Sequence, residues 1–386
     1  MNNARKKICI VATIPMSLNV FMKPHIAMLA EQYDVTLIAN GTDEDFSALV
    51  GEHVRVITVD IARAVSLMQD LLALLRLFKI FKDARFDAVH SITPKAGLLA
   101  MLAALAAGVP IRIHTFTGQV WANKSGVVRW GLKALDKLIA KCATGLLTDS
   151  FSQRLFLINE EIVQKEKIVV LGHGSVSGVD VERFKPNLAA KQLIRSDLAI
   201  PEHAIICLYL GRLNPDKGVQ DLAAAFASFA AHIPHAHLLV VGPDESGVSQ
   251  VLQKTLINCS NQYHRIGFTN KPEDYMAAAD IFCLPSYREG FGSVLIEAAA
   301  VGVPALASNI YGITDAVVNG QTGMLHEPKH VTQIAEYLQK LINDHALRQA
   351  MSARGTARAK ELFATQVLVN AMHDYYAPLL SEGASC

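Results

Sequence analysis

Short apolar runs alternate along the first half of the chain with longer segments in which apolar residues recur at helical spacing. Seven such runs lie at residues 7–13, 35–39, 54–59, 87–90, 111–116, 144–148 and 168–172. Continuous apolar runs of this length are typical of strands buried on both faces of a parallel sheet, and the segments between them are long enough for crossover helices. The pattern therefore predicts repeated strand–helix–strand units.

The same rhythm restarts after a stretch that has no periodicity. Residues 173–186 (HGSVSGVDVERFKP) are rich in Gly, Ser and Pro, which marks a boundary between domains. Six further strands are predicted at 205–210, 237–242, 264–267, 281–284, 304–307 and 323–325, and the segment from about 331 is helical. The sequence thus predicts an α/β protein with two doubly wound, Rossmann-like domains over 1–185 and 186–365, the first completed by a C-terminal helix at about 366–386.

The length of the chain agrees with two domains, because 386 residues exceed what one hydrophobic core usually supports. Doubly wound sheets bind their ligands beyond the carboxyl ends of the strands. We therefore expect the binding site in the cleft between the two domains, on the loops that follow the strands.

Composition excludes several classes of protein. Hydrophobic residues make up 51% and charged residues 18%, which excludes a disordered chain. Residues 1–190 carry 22 Lys and Arg against 17 Asp and Glu, a net of +5, and the remainder carries 14 against 18, a net of −4. The first half therefore favours anionic surroundings. No basic patch with interleaved aromatic residues is present, so no nucleic acid partner is expected.

The cysteines and the apolar segments bear on location. Six Cys residues are scattered without a CxxC motif, which points to a reducing compartment. The first apolar run is interrupted by Pro15 and is too short for a signal peptide, and the run at 96–111 is shorter than the about 20 residues of a membrane span. We therefore expect a cytoplasmic protein in which residues 96–111 form a buried helix.

Residues 211–218 (GRLNPDKG) follow a predicted strand and precede a predicted helix. Glycines let backbone N–H groups approach a ligand closely, the amino end of the helix carries partial positive charge, and Arg212 and Lys217 add two full charges. This combination predicts an anion site of the kind that a diphosphate needs. The alternative is an ordinary turn with a solvated lysine, which a second loop of similar chemistry disfavours.

Residues 281–301 repeat this arrangement around the loop SYREGFG (286–292). A helix that begins at Ser293 or its neighbour would present its free N–H groups at the same edge of the sheet. Glu297 would then lie about one turn inside the helix, where its carboxylate can accept two hydrogen bonds from the vicinal hydroxyls of a ribose. Glu289 is placed to bind a sugar hydroxyl.

Two acids near one loop also suggest a glycosidase, which places paired carboxylates across the scissile bond. A glycosidase would not explain the cationic loop, and we therefore disfavour it. A separate alternative for Glu297 is that it has no ligand, and that an acid is present there because the helix dipole favours negative charge near the amino end of a helix.

The two motifs together, GR(x4)KG and EGFG(x4)E, resemble those of the retaining nucleotide-sugar glycosyltransferases of family 4, or group 1 glycosyltransferases, whose GT-B fold has two Rossmann-like domains facing across a cleft. The resemblance covers nearly the whole chain. It implies that Arg212 and Lys217 bind the donor diphosphate, and that Glu289 binds the donor sugar; all three are counted as catalytic. The implied donor-binding residues are Gly211, Arg212, Lys217, Glu289, Gly290, Phe291, Gly292, Ser293 and, for the ribose, Glu297.

Residues 89–122 (VHSITPKAGLLAMLAALAAGVPIRIHTFTGQVWA) are similar to a subgroup that acts in bacterial capsule, O-antigen and exopolysaccharide assembly. Such enzymes usually show a second histidine where this chain has Ile92, which leaves His90 and His114 as candidates. The resemblance implies that His114, which we expect to end a strand at the cleft, is the active-site histidine near the transferred sugar. The alternative for either histidine is a satisfied core residue.

Weaker candidates lie on the acceptor side. The first loop, ATIPMSLNVF, lacks the glycine pair that many relatives place against the donor phosphate, and Ser17 and Asn19 are candidates to supply hydrogen bonds there. His90 and Lys95 complete the acceptor-side set.

Residues 63–85 and 124–141 are predicted to be amphipathic, with Lys and Arg facing one way and apolar residues, including Trp130, the other. Such segments can bind an anionic lipid surface, where each nearby cation contributes about 1 kcal/mol. We therefore expect peripheral association with the inner face of the cell membrane, where a polyprenyl-diphosphate-linked saccharide is the acceptor. The alternative is a core-facing apolar stripe under a solvated basic face.

These observations predict a glycosyltransferase, hexosyl or N-acetylhexosaminyl, that uses a UDP-sugar, and the resemblance to family 4 implies retention of the anomeric configuration. No metal or other cofactor is expected, because the cationic loop supplies the charge that a metal would. The segment HIPHAH (232–237) contains a proline and sits in a predicted turn, which disfavours a metal site there. The alternatives are a GT-B-type nucleotide-sugar epimerase and a non-enzymatic nucleotide-sugar binding protein. A nicotinamide oxidoreductase is disfavoured, because no GxGxxG follows the first strand.

Overall fold

A computed structural model describes residues 5–62 and 66–381. The chain forms two compact units: unit 1 comprises Met1–Ser177 and Thr365–Cys386, and unit 2 comprises Gly178–Ala364. The chain thus enters unit 2 earlier than the predicted boundary after residue 185, within the same Gly- and Ser-rich stretch. It returns to unit 1 at Thr365, next to the predicted start of the last helix.

Unit 1 is built on a parallel sheet of seven strands in the order β3-β2-β1-β4-β5-β6-β7. Its strands are β1 (Lys7–Val11), β2 (Asp34–Ala39), β3 (Val54–Thr58), β4 (Ala88–Ile92), β5 (Ile111–Phe116), β6 (Gly145–Thr148) and β7 (Ile168–Val170). Its α-helices are α1 (Pro15–Phe21), α2 (Lys23–Gln32), α3 (Leu67–Ala84), α4 (Pro94–Ala107), α5 (Gly126–Cys142), α6 (Phe151–Asn159) and the last helix of the chain, Thr365–Ser381. Short 3-10 helices lie at Asp43–Phe46 and Lys165–Lys167.

Unit 2 is built on a parallel sheet of six strands in the order β10-β9-β8-β11-β12-β13. Its strands are β8 (Ile205–Leu210), β9 (Ala236–Val241), β10 (Tyr263–Ile266), β11 (Ile281–Leu284), β12 (Ala305–Ser308) and β13 (Gly323–His326). Its α-helices are α7 (Leu188–Asp197), α8 (Val219–Ala227), α9 (Val248–Thr255), α10 (Pro272–Ala278), α11 (Ser293–Val301), α12 (Ile313–Ala316), α13 (Val331–Asn343) and α14 (His345–Leu362), which makes the last helix of unit 1 α15. Short 3-10 helices lie at Pro215–Lys217, Ala230–His232 and Ile257–Gln262.

The predicted strands are confirmed in both units, with ends displaced by a few residues. The central strands of both sheets are apolar runs with both faces buried, because helices cover both sides of each sheet. The edge strands β3, β7 and β10 are only partly buried. The apolar run at 96–111 is confirmed as a buried helix followed by a strand: α4 ends at Ala107, where Gly108 adopts a left-handed conformation with φ of 76°.

The strand order reverses once in each sheet, between β1 and β4 in unit 1 and between β8 and β11 in unit 2. At such a switch point the loops after the two central strands diverge to opposite faces of the sheet and leave a crevice, which is where doubly wound sheets bind ligands. In unit 2 the two loops at the switch point are the segments that begin at residues 211 and 285. These are the two motif-bearing loops singled out from the sequence.

Candidate functional site

The two motif loops of unit 2 touch each other. The backbone N–H of Tyr287 donates to the carbonyl of Asp216 at 2.8 Å. Gly218 has φ of 63°, and a β-carbon at this position would collide with the carbonyl oxygen of Pro285. Glycine is thus required at position 218 both for its conformation and for the close approach of the second loop.

A charged pair links the two loops at the same place. The Nζ of Lys217 donates to Oε1 of Glu289 at 2.5 Å, and the side chains are only 20% and 14% exposed. The structure therefore brings together two predicted site residues that lie 72 positions apart in the chain. The Glu289 carboxylate holds Lys217 at the carboxyl edge of the sheet, which is where the sequence motif predicted that this lysine would lie.

Arg212 lies at the start of the first loop and is more exposed. Its backbone carbonyl accepts a hydrogen bond from the buried Tyr209 Oη at 2.8 Å. Its guanidinium donates to both carboxylate oxygens of Glu245 at 3.2 Å. Sequence analysis missed Glu245, although its position just after β9, at the carboxyl edge of the same sheet, is where such a residue is to be sought.

Helix α11 begins at Ser293, as predicted, directly after Gly292 in a left-handed conformation with φ of 81°. The Phe291 ring is buried in the core and packs edge-to-face on Phe363, with ring centroids 5.3 Å apart. The side chain of Phe291 therefore anchors the loop in the core of unit 2. The first N–H groups of a helix have no partner within it, so this end attracts an anion.

Glu297 is the fifth residue of α11, one turn inside the helix as predicted. Burial raises the pKa of its carboxyl to about 7, against the opposing influence of Arg183. Arg183 is held by Glu273 Oε2 at 2.8 Å and by the Asn270 carbonyl at 3.0 Å. Sequence analysis missed Arg183, because it lies in the stretch that was interpreted as a domain boundary.

Tyr287 is a further side chain between the two loops. Its Oη donates to Oδ2 of Asp221, in the first turn of α8, at 2.6 Å, and the Nζ of Lys329 lies 5.1 Å from the centre of its ring. Burial and the bond to Asp221 raise the pKa of Tyr287 well above its usual value, so the hydroxyl stays protonated. The residue lay within the quoted motif, but nothing in the sequence indicated its partner.

His114 does not end a strand, and that part of the prediction is wrong. It is the fourth of the six residues of β5 and is buried, and its ring lies against Gly97 of α4, where a β-carbon would collide with it. Nδ1 is 2.8 Å from Ser91 Oγ, and burial lowers the pKa of the imidazole to about 3. The ring is thus neutral and packed in unit 1, and its catalytic role stays a prediction.

His90 is also part of the core of unit 1. Its two ring nitrogens lie 2.7 Å from Tyr376 Oη and from Thr115 Oγ1. Burial, with smaller contributions from neighbouring histidines, lowers the pKa of His90 to about 3. Both nitrogens are therefore used to fasten α15 and β5, which agrees with the alternative of a satisfied core residue.

The remaining acceptor-side candidates lie near the carboxyl edge of the unit 1 sheet. Ser17 and Asn19 are in α1, and the Asn19 side-chain amide donates to the backbone carbonyl of Asp45 at 3.1 Å. Lys95 is in the first turn of α4, and its Nζ is 2.6 Å from Oδ1 of Asp70 in α3. Asn19 and Lys95 thus make contacts within unit 1, and the substrate-binding roles of all three residues stay predictions.

The predicted amphipathic segments correspond to α3 and α5, except that residues 63–65 lie outside the described residues. Both helices pack against α4. Only Ala73, Leu77 and Phe81 of α3 are buried. Large apolar side chains that are at least half exposed lie on both helices: Leu67, Met68, Leu71, Leu72 and Leu75 of α3, and Val127, Val128 and Trp130 of α5. Both helices therefore present apolar surface as well as basic residues to solvent.

Two of the basic residues of α5 are engaged within unit 1. Arg129 and Lys133 each contact a carboxylate oxygen of Glu160 at 2.6 Å, and both lie over the buried ring of Trp121. Among the described residues, no helix combines the length and the apolar content that crossing a membrane requires.

The histidines of the HIPHAH segment are divided between a 3-10 helix, a turn and β9. His237 in β9 stacks on His264 of β10, with 2.9 Å between Nδ1 and Nε2. Across residues 5–62 and 66–381, no group of three or more His, Cys, Asp or Glu side chains is arranged to hold a metal ion.

Models of two known families match the chain, one in each unit. The model described as glycosyl transferases group 1 matches residues 190–358, and the model described as glycosyl transferase 4-like domain matches residues 25–174. The motif loops of unit 2 lie within the first match, and both candidate histidines lie within the second.

Curated relatives cover most of the chain. It is 32% identical over 325 residues to the capsular polysaccharide biosynthesis glycosyltransferase CapM of Staphylococcus aureus, with 84% of this chain and 85% of that protein covered. It is 30% identical over 324 residues to the UDP-Gal:alpha-D-GlcNAc-diphosphoundecaprenol alpha-1,3-galactosyltransferase of Escherichia coli, with 82% of each covered. These relatives favour a transferase over the epimerase and the non-enzymatic binder.

Solved structures with the same fold include Anabaena HepE in complex with UDP and glucose, at a TM-score of 0.80 and 18% identity over 97% of this chain and all of that one. WaaG, a glycosyltransferase involved in lipopolysaccharide biosynthesis, matches at a TM-score of 0.75 and 18% identity over 95% of this chain and 98% of that one. At such identities the likeness shows the fold, which is the predicted GT-B fold. The two family models and the 32% identity to CapM over 84% of the chain show that the chain belongs to the group 1 glycosyltransferases.

Proposed function

We propose that the protein transfers a hexosyl or N-acetylhexosaminyl residue from a UDP-sugar, with retention of configuration, to a saccharide carried on a polyprenyl diphosphate during assembly of a bacterial surface polysaccharide. The observation that carries the proposal is the pair of loops at the switch point of the unit 2 sheet, joined by Lys217 and Glu289. HepE binds UDP in its crystal, and the E. coli relative uses UDP-Gal and a diphosphoundecaprenol-linked sugar, which supports these classes of donor and acceptor.

The chemistry proposed for this site is stabilisation of a leaving diphosphate. As the bond between the sugar and the diphosphate breaks, negative charge grows on the phosphate oxygens, and Arg212 and Lys217 stabilise that charge. The amino end of α11, fixed behind Gly292, adds partial positive charge without any rearrangement of its backbone. Two full cations and a helix end supply the charge that a divalent cation would otherwise provide, so transfer is proposed to need no metal.

The acids are proposed to bind the sugar rings. Glu297 accepts hydrogen bonds from the two ribose hydroxyls, which requires its ionised form. Because burial raises its pKa to about 7, a substantial fraction is protonated in the empty site at neutral pH, and ribose binding favours release of that proton. Glu289 binds a hydroxyl of the transferred sugar through its second carboxylate oxygen while Oε1 remains on Lys217.

The acceptor is proposed to reach unit 1 from the cytoplasmic leaflet of the membrane. The exposed apolar side chains of α3 and α5 are interleaved with exposed cations, among them Arg76, Lys79 and Lys82 of α3 and Lys141 of α5. A soluble surface rarely keeps several large apolar side chains together, and the combination with basic residues fits an anionic lipid surface.

Vesicle sedimentation tests the membrane contact. Binding to vesicles with anionic lipid is expected to exceed binding to neutral vesicles, and Leu71→Gln with Leu72→Gln should weaken it. The matched control is Leu188→Gln with Leu193→Gln, which changes two exposed leucines of α7 in unit 2. Equal binding to both lipid compositions would refute the membrane contact and leave the donor site untouched.

Calorimetry followed by product analysis tests the transfer. A panel of UDP, GDP and ADP and their sugars is titrated into the protein, and UDP-sugars are expected to bind through unit 2. The bound donor is then incubated alone and with a polyprenyl-diphosphate-linked sugar, and the linkage is assigned by NMR. Transfer with retention only in the presence of acceptor supports the proposal. An epimerised donor without acceptor, or an inverted linkage, contradicts it.

A further inference from the structure

Glu245 lies at the carboxyl edge of the unit 2 sheet, near the proposed donor site. The proposed reaction does not use this residue. Its two carboxylate oxygens accept hydrogen bonds from Nη1 of Arg212 at 3.2 Å. The arginine is 58% exposed and the glutamate 39% exposed, so water reaches both partners. The group proposed to bind the donor diphosphate is therefore paired with a carboxylate of its own unit.

The backbone on the arginine side of this pair is held firmly. The N–H of Gly211 donates to the carbonyl of Val241 at 3.0 Å, which continues the ladder between β8 and β9 beyond the last strand residue. The Oη of Tyr209 fixes the carbonyl of Arg212 itself. Only the side chain of Arg212 is left to move.

The backbone on the glutamate side is equally fixed. The N–H of Leu213 donates to the carbonyl of Pro243 at 2.8 Å, and the N–H of Glu245 donates back to the carbonyl of Leu213 at 3.1 Å. Asp244 accepts hydrogen bonds from the backbone N–H groups of Ser246, just before α9, and of Val248 and Ser249 in its first turn. These bonds, chiefly that of Ser249, lower the pKa of the Asp244 carboxyl to about 2. Glu245 is thus presented to Arg212 by a rigid loop.

We propose that Glu245 competes with the donor diphosphate for Arg212: it holds the guanidinium in the empty site, releases it when the diphosphate binds and takes it back as UDP leaves. The inference rests on the proposed function of Arg212. Carboxylate and phosphate oxygens are alternative acceptors for the same guanidinium fork. An exposed ion pair is weak enough to be exchanged, whereas the less exposed pair of Lys217 and Glu289 is suited to remain in place.

Titration of UDP into the full-length protein at low ionic strength tests the proposal. Glu245→Gln removes the competitor and keeps the size of the side chain, so UDP is expected to bind about fivefold more tightly, the factor that corresponds to an exposed pair of about 1 kcal/mol. Dissociation of UDP, followed by stopped flow, should slow by a similar factor. Glu336→Gln on α13 makes the same change of charge on an exposed glutamate and should leave the UDP affinity unchanged.

A double-mutant cycle shows whether Glu245 acts through Arg212. Arg212→Ala should weaken UDP binding, and in that background Glu245→Gln should no longer tighten it. If Glu245→Gln tightens binding equally with and without Arg212, or never tightens it, the inference is wrong while the donor site stands. If the wild-type protein binds no nucleotide diphosphate at all, the proposed function fails with it.

Discussion

The two sheets have the same arrangement of strands around their switch points, but the side chains at those points differ in kind. In unit 2 the loops after β8 and β11 are linked by the charged pair of Lys217 and Glu289. In unit 1 the loops after β1 and β4 are linked by two hydroxyls, since Thr13 Oγ1 lies 2.8 Å from Thr93 Oγ1. Thr93 adopts φ of 77°, which is strained for a β-branched residue.

The contrast extends to the titratable groups nearby. The two ion pairs of the unit 2 edge, Arg212 with Glu245 and Lys217 with Glu289, are partly exposed to solvent, whereas His90 and His114 of unit 1 are buried and neutral. A doubly wound sheet therefore supplies a crevice in both units, and the loop side chains decide whether the crevice attracts an anion. What unit 1 exposes instead is the apolar surface of α3 and α5.

The largest expected effect on turnover comes from removing either cation, Arg212 or Lys217, at the carboxyl edge of the unit 2 sheet. Arg212→Ala and Lys217→Ala should each lower the turnover number by about 10²- to 10³-fold, by analogy with the loss of an oxyanion donor. The measurement is transfer at saturating donor and acceptor. Lys254→Ala removes an exposed lysine of α9 and serves as the control, with turnover close to that of the wild type. Full activity in both Arg212→Ala and Lys217→Ala would contradict the role given to this edge.

The neutral histidines of unit 1 should make that unit sensitive to acid. His114 has a pKa of about 3 in the fold against about 6.5 when unfolded, so the unfolded chain binds the extra proton and stability falls as pH drops below 6.5. Between pH 7 and pH 5 this histidine costs about 2 kcal/mol of unfolding free energy, and His114→Asn should abolish that part of the loss. Both tryptophans of the chain, Trp121 and Trp130, lie in unit 1, so their fluorescence in urea titrations reports this unit.

The control variant is Arg212→Ala, which changes unit 2 alone. In this variant the free energy of unfolding of unit 1 should depend on pH as it does in the wild type. An unchanged difference between pH 7 and pH 5 in His114→Asn would show that the buried imidazole does not govern the acid sensitivity.

Donor affinity should depend on pH through Glu297. Its pKa of about 7 in the empty site means that the binding-competent carboxylate is lost as pH falls through 7, so a UDP-sugar should bind about tenfold more weakly at pH 6 than at pH 8. A UDP-sugar is preferred to UDP here, because its phosphates do not titrate in this range. Glu297→Gln should bind more weakly at pH 8 and lose the dependence on pH. A pH-independent wild-type affinity would mean that Glu297 does not contact the ligand.

The smallest expected effect is a difference in vesicle binding between two substitutions of basic residues in or next to α5. Lys124 is exposed next to the apolar side chains of that helix, whereas Lys133 is bound to Glu160 and covers Trp121. Lys124→Ala should therefore weaken binding to anionic vesicles by about fivefold, or about 1 kcal/mol, and Lys133→Ala should weaken it less. A larger loss in Lys133→Ala than in Lys124→Ala would contradict this division.

Much of the fold could be predicted because the apolar runs of strands such as β8 and β11 are buried whatever their neighbours are. The loop positions of Arg212 and Lys217 could be predicted as well, since a loop after a parallel strand lies at the binding edge. The place of Glu297, one turn inside the helix that follows such a loop, could be predicted for the same reason. These inferences need only the order of elements along the chain.

Contacts between distant side chains could not be predicted in the same way. No local pattern indicates that Arg212 meets Glu245 or that Lys217 meets Glu289. His114 was misplaced for a related reason: alternate residues of a strand point to opposite faces, and its ring points into the helical layer at Gly97, not along the strand towards the edge.

The discontinuity of unit 1 has a consequence for biosynthesis. Leu368, Met372 and Tyr376 of α15 fill the core beside β1 and β2, yet the ribosome makes all of unit 2 before it makes this helix. At about 5 to 20 residues per second, translation of residues 178–364 takes about 10 to 40 s. The half of the protein that emerges first is therefore the half that is completed last, because the core positions that α15 fills have no partner until that helix has been made.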